Sequence, residues 1–133
     1  MKYLLDTNIC IYLIKGKDQK LLKKFIKHSP LDFAISSITV AELWYGVYKS
    51  TKQKENKSAL LSFLQPFEVI DFKEQSAEIY GLLRAKLETD GNLIGSMDLL
   101  IASIALANNL VLLTNNEKEF KRVPKLKFEN WVK

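Results

Sequence analysis

Three acidic side chains in this 133-residue chain stand in otherwise apolar surroundings. Asp6 ends a short apolar run, Glu42 lies within VAELW (residues 40–44), and Asp98 lies within MDLLI (residues 97–101). Burying several carboxylates close together is costly unless a cation neutralises them. Mg²⁺ and Mn²⁺ bind carboxylate and water oxygens and leave positions open for phosphate. The three acids together therefore indicate a divalent-metal site.

Each acid also has a purely structural interpretation. Asp6 could cap a helix that starts near Ile9, and Glu42 fits a capping box that begins at Thr39. Asp98 could stabilise a helix dipole from the first turn. No single acid decides between the two interpretations, whereas one metal site accounts for all three.

Polar clusters follow two of the predicted strands. Asp6-Thr7-Asn8 comes after the first strand, and Thr114-Asn115-Asn116 comes after the fourth. Ligands of open α/β sheets bind beyond the carboxyl ends of the strands. We therefore expect four polar side chains to support the acids: Thr7, Asn8, Asn115 and Asn116.

Composition excludes several other chemistries. Cys10 and His28 are the only residues of their types, so the chain has no intrachain disulfide or structural zinc site, and a Cys–His nucleophilic pair is a poor candidate. The net charge is +5, and all but two of the 20 basic residues are lysines, the exceptions being Arg84 and Arg122. This charge favours polyanions but does not decide the partner. We expect no membrane span, no signal peptide and a cytoplasmic location.

Strand and helix patterns alternate along the chain. Strands are predicted at residues 2–5, 33–35, 67–72, 110–113 and 126–128. Helices are predicted at residues 9–14, 18–28, 39–48, 58–64, 74–88, 97–108 and 117–120, with a loop or frayed end at 49–56 and Ser96 as an N-cap. This order predicts a single α/β domain over residues 1–133, with a central parallel sheet flanked by helices on both faces.

Four segments resemble, in order and spacing, the signature segments of VapC toxins. They are residues 4–9 (LLDTNI), 37–46 (SITVAELWYG), 94–102 (IGSMDLLIA) and 113–120 (LTNNEKEF). The ending, from VP at 123–124 to ENW at 129–131, is similar to that family's tail. The resemblance covers essentially the whole chain.

The resemblance implies a PIN fold and a toxic Mg²⁺-dependent endoribonuclease, with Mn²⁺ as the other candidate ion. It implies an acidic core of Asp6, Glu42 and Asp98. Many PIN nucleases carry a fourth acid where this chain has Asn115 and Asn116. A VapC subgroup with the same turn has an acid a few residues further on. We therefore assign the fourth carboxylate to Glu119, with Glu117 as the second choice, and leave the number of metal ions open.

The expected mechanism follows from charge. A metal held by Asp6 and Asp98, with Glu42 bound directly or through water, would activate a water molecule and neutralise the attacked phosphate. Thr7 and Asn8 would hold Asp6 or bind a phosphate oxygen. Lysines would guide the RNA, and a lysine cluster on one predicted helix is either an RNA or partner contact or a merely solvated face: Lys20, Lys23, Lys24 and Lys27.

The resemblance also implies partners. The substrate is cellular RNA, with transfer RNA as the first candidate, and a VapB-like antitoxin neutralises the toxin. We expect a basic antitoxin residue to pair with the acids, and an apolar antitoxin segment to lie along a groove. Three aromatic residues are candidates to line that groove, and the alternative is that they are ordinary core residues: Trp44, Tyr45 and Tyr48. A homodimer is expected.

Two rival functions remain. Haloacid-dehalogenase-like phosphatases also begin with an acid after the first strand, but they resemble Asp-x-Asp, and this chain has Asn8 at the second position. A catalytically silent PIN module that binds RNA or protein is the stronger alternative, although all three core acids are present. Metal-dependent RNA cleavage separates these functions.

Overall fold

The computed structural model describes residues 1–132, in which five strands form one sheet. The strands are β1 (Tyr3–Leu5), β2 (Phe33–Ser36), β3 (Glu68–Ile70), β4 (Val111–Leu113) and β5 (Phe128–Glu129). Their order across the sheet is β3-β2-β1-β4-β5, and every neighbouring pair is parallel. The predicted parallel α/β sheet is confirmed, and β1 lies at its centre.

Helices cover both faces of this sheet. They are α1 (Thr7–Lys15), α2 (Gln19–Phe25), α3 (Ser37–Lys49), α4 (Gln53–Leu64), α5 (Glu74–Thr89), α6 (Ser96–Ala107) and α7 (Glu117–Phe120). Side chains alternate between the two faces of a strand. Leu4 packs in the core under α5 and α6, whereas Tyr3 and Leu5 pack in the core under α1 to α4. Both faces of the inner strands β1, β2 and β4 are therefore largely buried, as in other parallel sheets.

Several predicted boundaries are wrong. Helix α3 begins at Ser37 with Ser36 as its N-cap, so Thr39 lies inside the helix and its N–H donates to Ser36 Oγ at 3.0 Å. Gly95, not Ser96, is the N-cap of α6. The predicted loop at 49–56 is mostly helical, because α4 begins at Gln53.

The ends of four other elements also differ from the predicted ends. Helix α1 starts at Thr7 and not at Ile9, because Asp6 caps it. Helix α2 ends at Phe25, three residues early. Strand β3 is shorter than the predicted 67–72 and lies at a sheet edge, where Val69 is exposed. Strand β5 is shifted to residues 128–129, where it pairs with β4. Within residues 1–132 no helix is long and apolar enough to span a bilayer.

The C-terminal segment closes one side of the molecule. Trp131 is buried, and its ring lies 5.0 Å from the Tyr3 ring and 5.1 Å from the His28 ring. Aromatic packing therefore fixes the segment around Trp131 against Tyr3 of β1 and His28.

Cys10 is fully buried, as predicted for a thiol between two isoleucines, and burial raises its pKa well above the usual value.

Candidate active site

Asp6 lies at the carboxyl end of the central strand and is also the N-cap of α1. Its Oδ1 accepts the Thr7 backbone N–H at 2.7 Å, and its Oδ2 accepts the Thr114 hydroxyl at 2.7 Å. The side chain is buried. Burial raises the pKa of Asp6, and the two hydrogen bonds partly oppose this shift. Asp6 thus has both the capping position and the acidic neighbours that sequence analysis presented as alternatives.

Glu42 reaches the same site from α3, but not as a capping box. Its Oε1 accepts the Thr7 hydroxyl at 2.5 Å, and the Thr39 hydroxyl lies 3.1 Å from Thr7 Oγ1. The predicted bond from Glu42 to the Thr39 backbone is replaced by this contact between α3 and α1. Thr7 therefore links the helix that Asp6 caps to the helix that carries Glu42.

Asp98 and Glu119 form a proton-sharing pair beside Asp6. Burial, the hydrogen bond to Glu119 and the charge of Asp6 raise the pKa of Asp98 from 3.8 to about 8. The same hydrogen bond lowers the pKa of Glu119, helped by Asn116 and by the Gly95 backbone. Below about pH 8, a protonated Asp98 carboxyl would therefore donate to an ionised Glu119. Asn116 Nδ2 donates to Glu119 Oε2 at 2.8 Å.

The other predicted site residues have different surroundings from the four acids. Glu117 and Asn115 each accept a hydrogen bond from Asn130 at 3.1 Å, so Glu117 faces the C-terminal segment. Asn8 is exposed at the start of α1. Of the two candidates for the fourth acid, it is Glu119 that contacts Asp98.

Sequence analysis missed the roles of Thr114, Thr39 and Asn130. The register pairs Leu5 with Leu113, so Thr114 lies beside Asp6 one residue further on. A threonine directly after the strand that neighbours β1 was the available signal. Thr39 was assigned to the helix cap instead. Nothing local distinguishes Asn130, because its partners lie 13 and 15 residues earlier in the chain.

The donor set fits a hard divalent cation by its chemistry. Asp6, Glu42, Asp98 and Glu119 act on one another electrostatically, and carboxylates are the ligands that Mg²⁺ and Mn²⁺ prefer. Within residues 1–132, no three acidic, histidine or cysteine side chains converge on one point as they stand. Their oxygens instead bind hydroxyls and each other. A cation would have to displace the proton on Asp98, because that proton reduces the repulsion between Asp98 and the other carboxylates.

A groove of about 290 Å³ runs from Glu42 along α1, α3 and α4. Its apolar lining includes Ile11, Ile14, Leu43, Val47 and Leu60. The aromatic residues predicted for partner docking are not among the lining residues. Tyr45 and Tyr48 are 67% and 58% exposed, and Trp44 stacks on Tyr48 at 5.7 Å. Other residues therefore line this groove, and contact of the three aromatic residues with an antitoxin stays a prediction.

The predicted lysine cluster is exposed along α2 and the turn after it: Lys20, Lys23, Lys24 and Lys27. Phe25, at the end of α2, stacks on Phe33 at 4.5 Å, and Phe33 begins β2. The end of α2 therefore lies at the amino edge of the sheet. Asp6 lies at the opposite edge, and a contact of these lysines with RNA or a partner stays a prediction.

Comparison with known proteins assigns the family. A PIN-domain profile matches residues 3–126. The chain is 50% identical over 136 residues to "Ribonuclease VapC2" of Rickettsia felis, with all of both chains covered. This chain belongs to the VapC family of PIN-domain proteins. It is also 38% identical to the "tRNA(fMet)-specific endonuclease VapC" of Salmonella typhimurium over 98% of each chain.

The fold of this VapC-family chain agrees with that of a solved relative. The structure of VapBC2 from Rickettsia felis bound to a DNA fragment from its promoter contains a chain that matches with a TM-score of 0.90. The two chains are 47% identical, and the match covers 98% of this chain and 99% of that chain. Each of the four signature segments contributes one acid to the cluster: Asp6, Glu42, Asp98 and Glu119.

Proposed function

We propose that this VapC-family protein is a toxic, Mg²⁺- or Mn²⁺-dependent endoribonuclease held in check by a VapB-like antitoxin. One observation carries the proposal. Four carboxylates from four separate segments of the chain lie together at the carboxyl edge of a parallel sheet, and burial, together with the charges of the other acids, raises the pKa of Asp6 and of Asp98. The names of the relatives, ribonuclease and endonuclease, support cleavage of RNA.

The proposed roles follow from position. Asp6, Asp98 and Glu42 hold the metal, and Glu119 completes the cluster from its rim. When bound, a divalent ion supplies charge to the attacked phosphate and lowers the pKa of a water molecule. Thr114 and Thr7 orient Asp6 and Glu42 through the hydroxyl bonds described above. Asn116 orients Glu119 in the same way.

Transfer RNA is the proposed substrate class, and initiator transfer RNA is its first candidate. The support is the name of the Salmonella typhimurium relative, which specifies tRNA(fMet). An acidic pocket without a bound cation repels phosphate. The RNA backbone must therefore be held by basic residues outside the pocket. The cytoplasm is the proposed location, because that is where transfer RNA acts.

The groove beside Glu42 is the proposed antitoxin site. Its apolar lining suits an amphipathic segment, and Glu42 at its wall is a partner for an Arg or Lys of that segment. A cation placed there would also compete with the metal for the acids. The VapBC2 structure of the Rickettsia felis relative supports a partner of this kind.

A homodimer is also proposed. Three large apolar side chains on α5, just before α6 and in its first turn are exposed, namely Leu82 (72%), Leu93 (44%) and Met97 (49%). Exposed apolar residues of this size mark candidate contact surfaces, and a twofold contact would use the same patch on both copies. Sedimentation of Leu82→Glu against the parent chain tests this arrangement.

The test of the proposed activity is cleavage of purified RNA. The chain is stripped with EDTA, and Mg²⁺ or Mn²⁺ is added back in the presence of initiator or elongator transfer RNA. We expect cleavage only with metal, at one site in the initiator species. Metal-independent cleavage contradicts the proposed mechanism. RNA binding without cleavage at any metal concentration favours the silent binding module instead.

A further inference from the structure

One side chain, Asn130, joins the C-terminal segment to the segment that carries Glu119. Its Nδ2 donates both hydrogens, to Asn115 Oδ1 and to Glu117 Oε2, each at 3.1 Å. Its Oδ1 accepts the Val132 backbone N–H at 3.0 Å. Both donors of the amide and one acceptor position are thus used, so the orientation of this amide is fixed.

The C-terminal side of this connection is firmly held. Strand β5 pairs with β4, and the Thr114 N–H donates to the Glu129 carbonyl at 3.0 Å. Trp131, the next residue after Asn130, is buried against Tyr3 and His28. Asn130 therefore lies between a strand that pairs with β4 and a buried tryptophan, so the position of its backbone is fixed on both sides.

The 114–119 segment on the other side reaches directly into the acidic cluster. Thr114 Oγ1 accepts the Asn116 N–H at 2.9 Å and donates to Asp6. Asn116 donates to Glu119, and its side chain makes no capping bond to α7. A helix of four residues without a side-chain cap has little stability of its own. Its position depends on outside contacts such as those from Asn130.

We propose that Asn130 is a positioning residue for the metal site. By fixing Asn115 and Glu117, it holds the 114–119 segment in the orientation that presents Glu119 and supports Asp6. The inference rests on the proposed metal-dependent function. It adds a residue that touches none of the four acids, and it explains why the C-terminal segment is anchored so close to the cluster.

Mn²⁺ binding tests the proposal without requiring RNA cleavage. The dissociation constant is measured by titration with electron paramagnetic resonance detection for the parent chain and for Asn130→Ala. We expect affinity to fall by up to about tenfold, the lower end of the range for side chains that hydrogen-bond metal ligands directly, because Asn130 acts one contact further out. At saturating metal the cleavage rate should recover most of its parent value, because the acids themselves remain.

Asn108→Ala is the matched control. Asn108 also donates one side-chain amide hydrogen bond, to the Ile104 carbonyl at 2.8 Å, but it follows α6 at the end remote from Asp98. We expect this variant to lower thermal stability and to leave the Mn²⁺ dissociation constant unchanged. Equal weakening of Mn²⁺ binding in both variants would mean a general loss of stability and would overturn the positioning role.

Asn130→Asp and a double-mutant cycle separate donation from simple packing. The aspartate keeps the shape and the acceptor for Val132 but loses both donated hydrogens, so it should weaken Mn²⁺ binding like alanine does. The loss from Asn130→Ala should shrink when Asn115→Ala is already present. Parent-like affinity in both Asn130 variants overturns this inference alone. A parent chain that binds no Mn²⁺ overturns the proposed metal site as well.

Discussion

We expect the protonation state of Asp98 to govern cation binding at the proposed metal site. Its pKa is raised to about 8 by burial, by the hydrogen bond to Glu119 and by the neighbouring acids. An aspartate with a raised pKa stabilises the folded chain while it is protonated, below its ordinary value of 3.8. That contribution is lost as the pH rises through about 8. A metal ion has the opposite preference, because it needs the ionised form.

The pH dependence of metal binding follows from this competition. Below pH 8 the metal must displace one proton, so the apparent Mg²⁺ affinity should fall by about tenfold per pH unit. Without metal, the melting temperature should decrease from pH 5 towards pH 9, and added Mg²⁺ should raise it more at pH 8.5 than at pH 6. Thermal melts with and without Mg²⁺ measure both effects. A Mg²⁺ shift that is the same at the two pH values contradicts the proton-sharing pair.

Glu119 should matter less than Asp98 for cleavage. Glu119 lies at the rim, where water can replace part of its function. Asp98 is more buried and interacts electrostatically with the other three acids of the cluster. We expect Glu119→Gln to raise the Mg²⁺ concentration for half-maximal activity and to lower the rate less than Asp98→Asn does. Glu117→Gln is the matched control, and it should change the Mg²⁺ requirement less. Unchanged metal dependence in Glu119→Gln, with a change in Glu117→Gln, would transfer the role to Glu117.

At the scale of elements, tertiary contacts decided the boundaries that local sequence could not. The sequence around α3 predicts Thr39 as the capping residue, whereas Ser36 is the cap in the folded chain. Glu42 then turns towards Thr7 on another helix. Strand β5 is only two residues long, and its position depends on pairing with β4 rather than on its own pattern. Local rules therefore predicted the existence of these elements better than their ends.

The groove formed by α1, α3 and α4 gives a prediction for antitoxin binding. Gly46 lines this groove, and a Cβ added there meets no atom within 4 Å. Gly46→Leu should fill the groove without disturbing the core and should favour the helix. We expect antitoxin affinity to fall by at least about tenfold, or about 1.4 kcal/mol. Calorimetric titration with a VapB-like antitoxin measures the change.

Gly81→Leu provides the control for this experiment. Gly81 is also a helical glycine with open space around its Cβ, but it lies on α5, outside the groove. This variant should bind the antitoxin like the parent chain. Parent-like binding by Gly46→Leu would mean that the antitoxin does not occupy the groove.

At the scale of the whole molecule, the parallel sheet brings distant acids together. Asp6 follows the central strand, Asp98 lies in the first turn of α6, and Glu119 lies in the short helix α7 that follows β4. Alternating strands and helices were enough to predict this arrangement, and the four signature segments were enough to predict the acids. The Thr114 bond to Asp6 and the Asn130 contacts depend on strand register and on the path of the C-terminal segment. Those features are set by long-range packing, which periodicity does not encode.

In the proposed function, carboxylate charge at this edge of the sheet holds the metal required for RNA cleavage, and Asp98→Asn removes one of these charges. An amide at this position can still donate to Glu119, as the protonated carboxyl does now, so the fold should be retained. It cannot supply the negative charge that binds Mg²⁺. Asp90→Asn is the matched control, at an exposed aspartate paired only with Lys86 among the described residues.

The measurement is kcat/KM for RNA cleavage in saturating Mg²⁺, with the melting temperature recorded for each variant. Loss of residues that merely orient metal ligands costs about 10- to 100-fold, so loss of a ligand should cost more than about 100-fold. We predict that Asp98→Asn loses cleavage at a parent-like melting temperature, while Asp90→Asn stays fully active. Full activity of folded Asp98→Asn with Mg²⁺ would contradict the assignment of this cluster as the catalytic metal site.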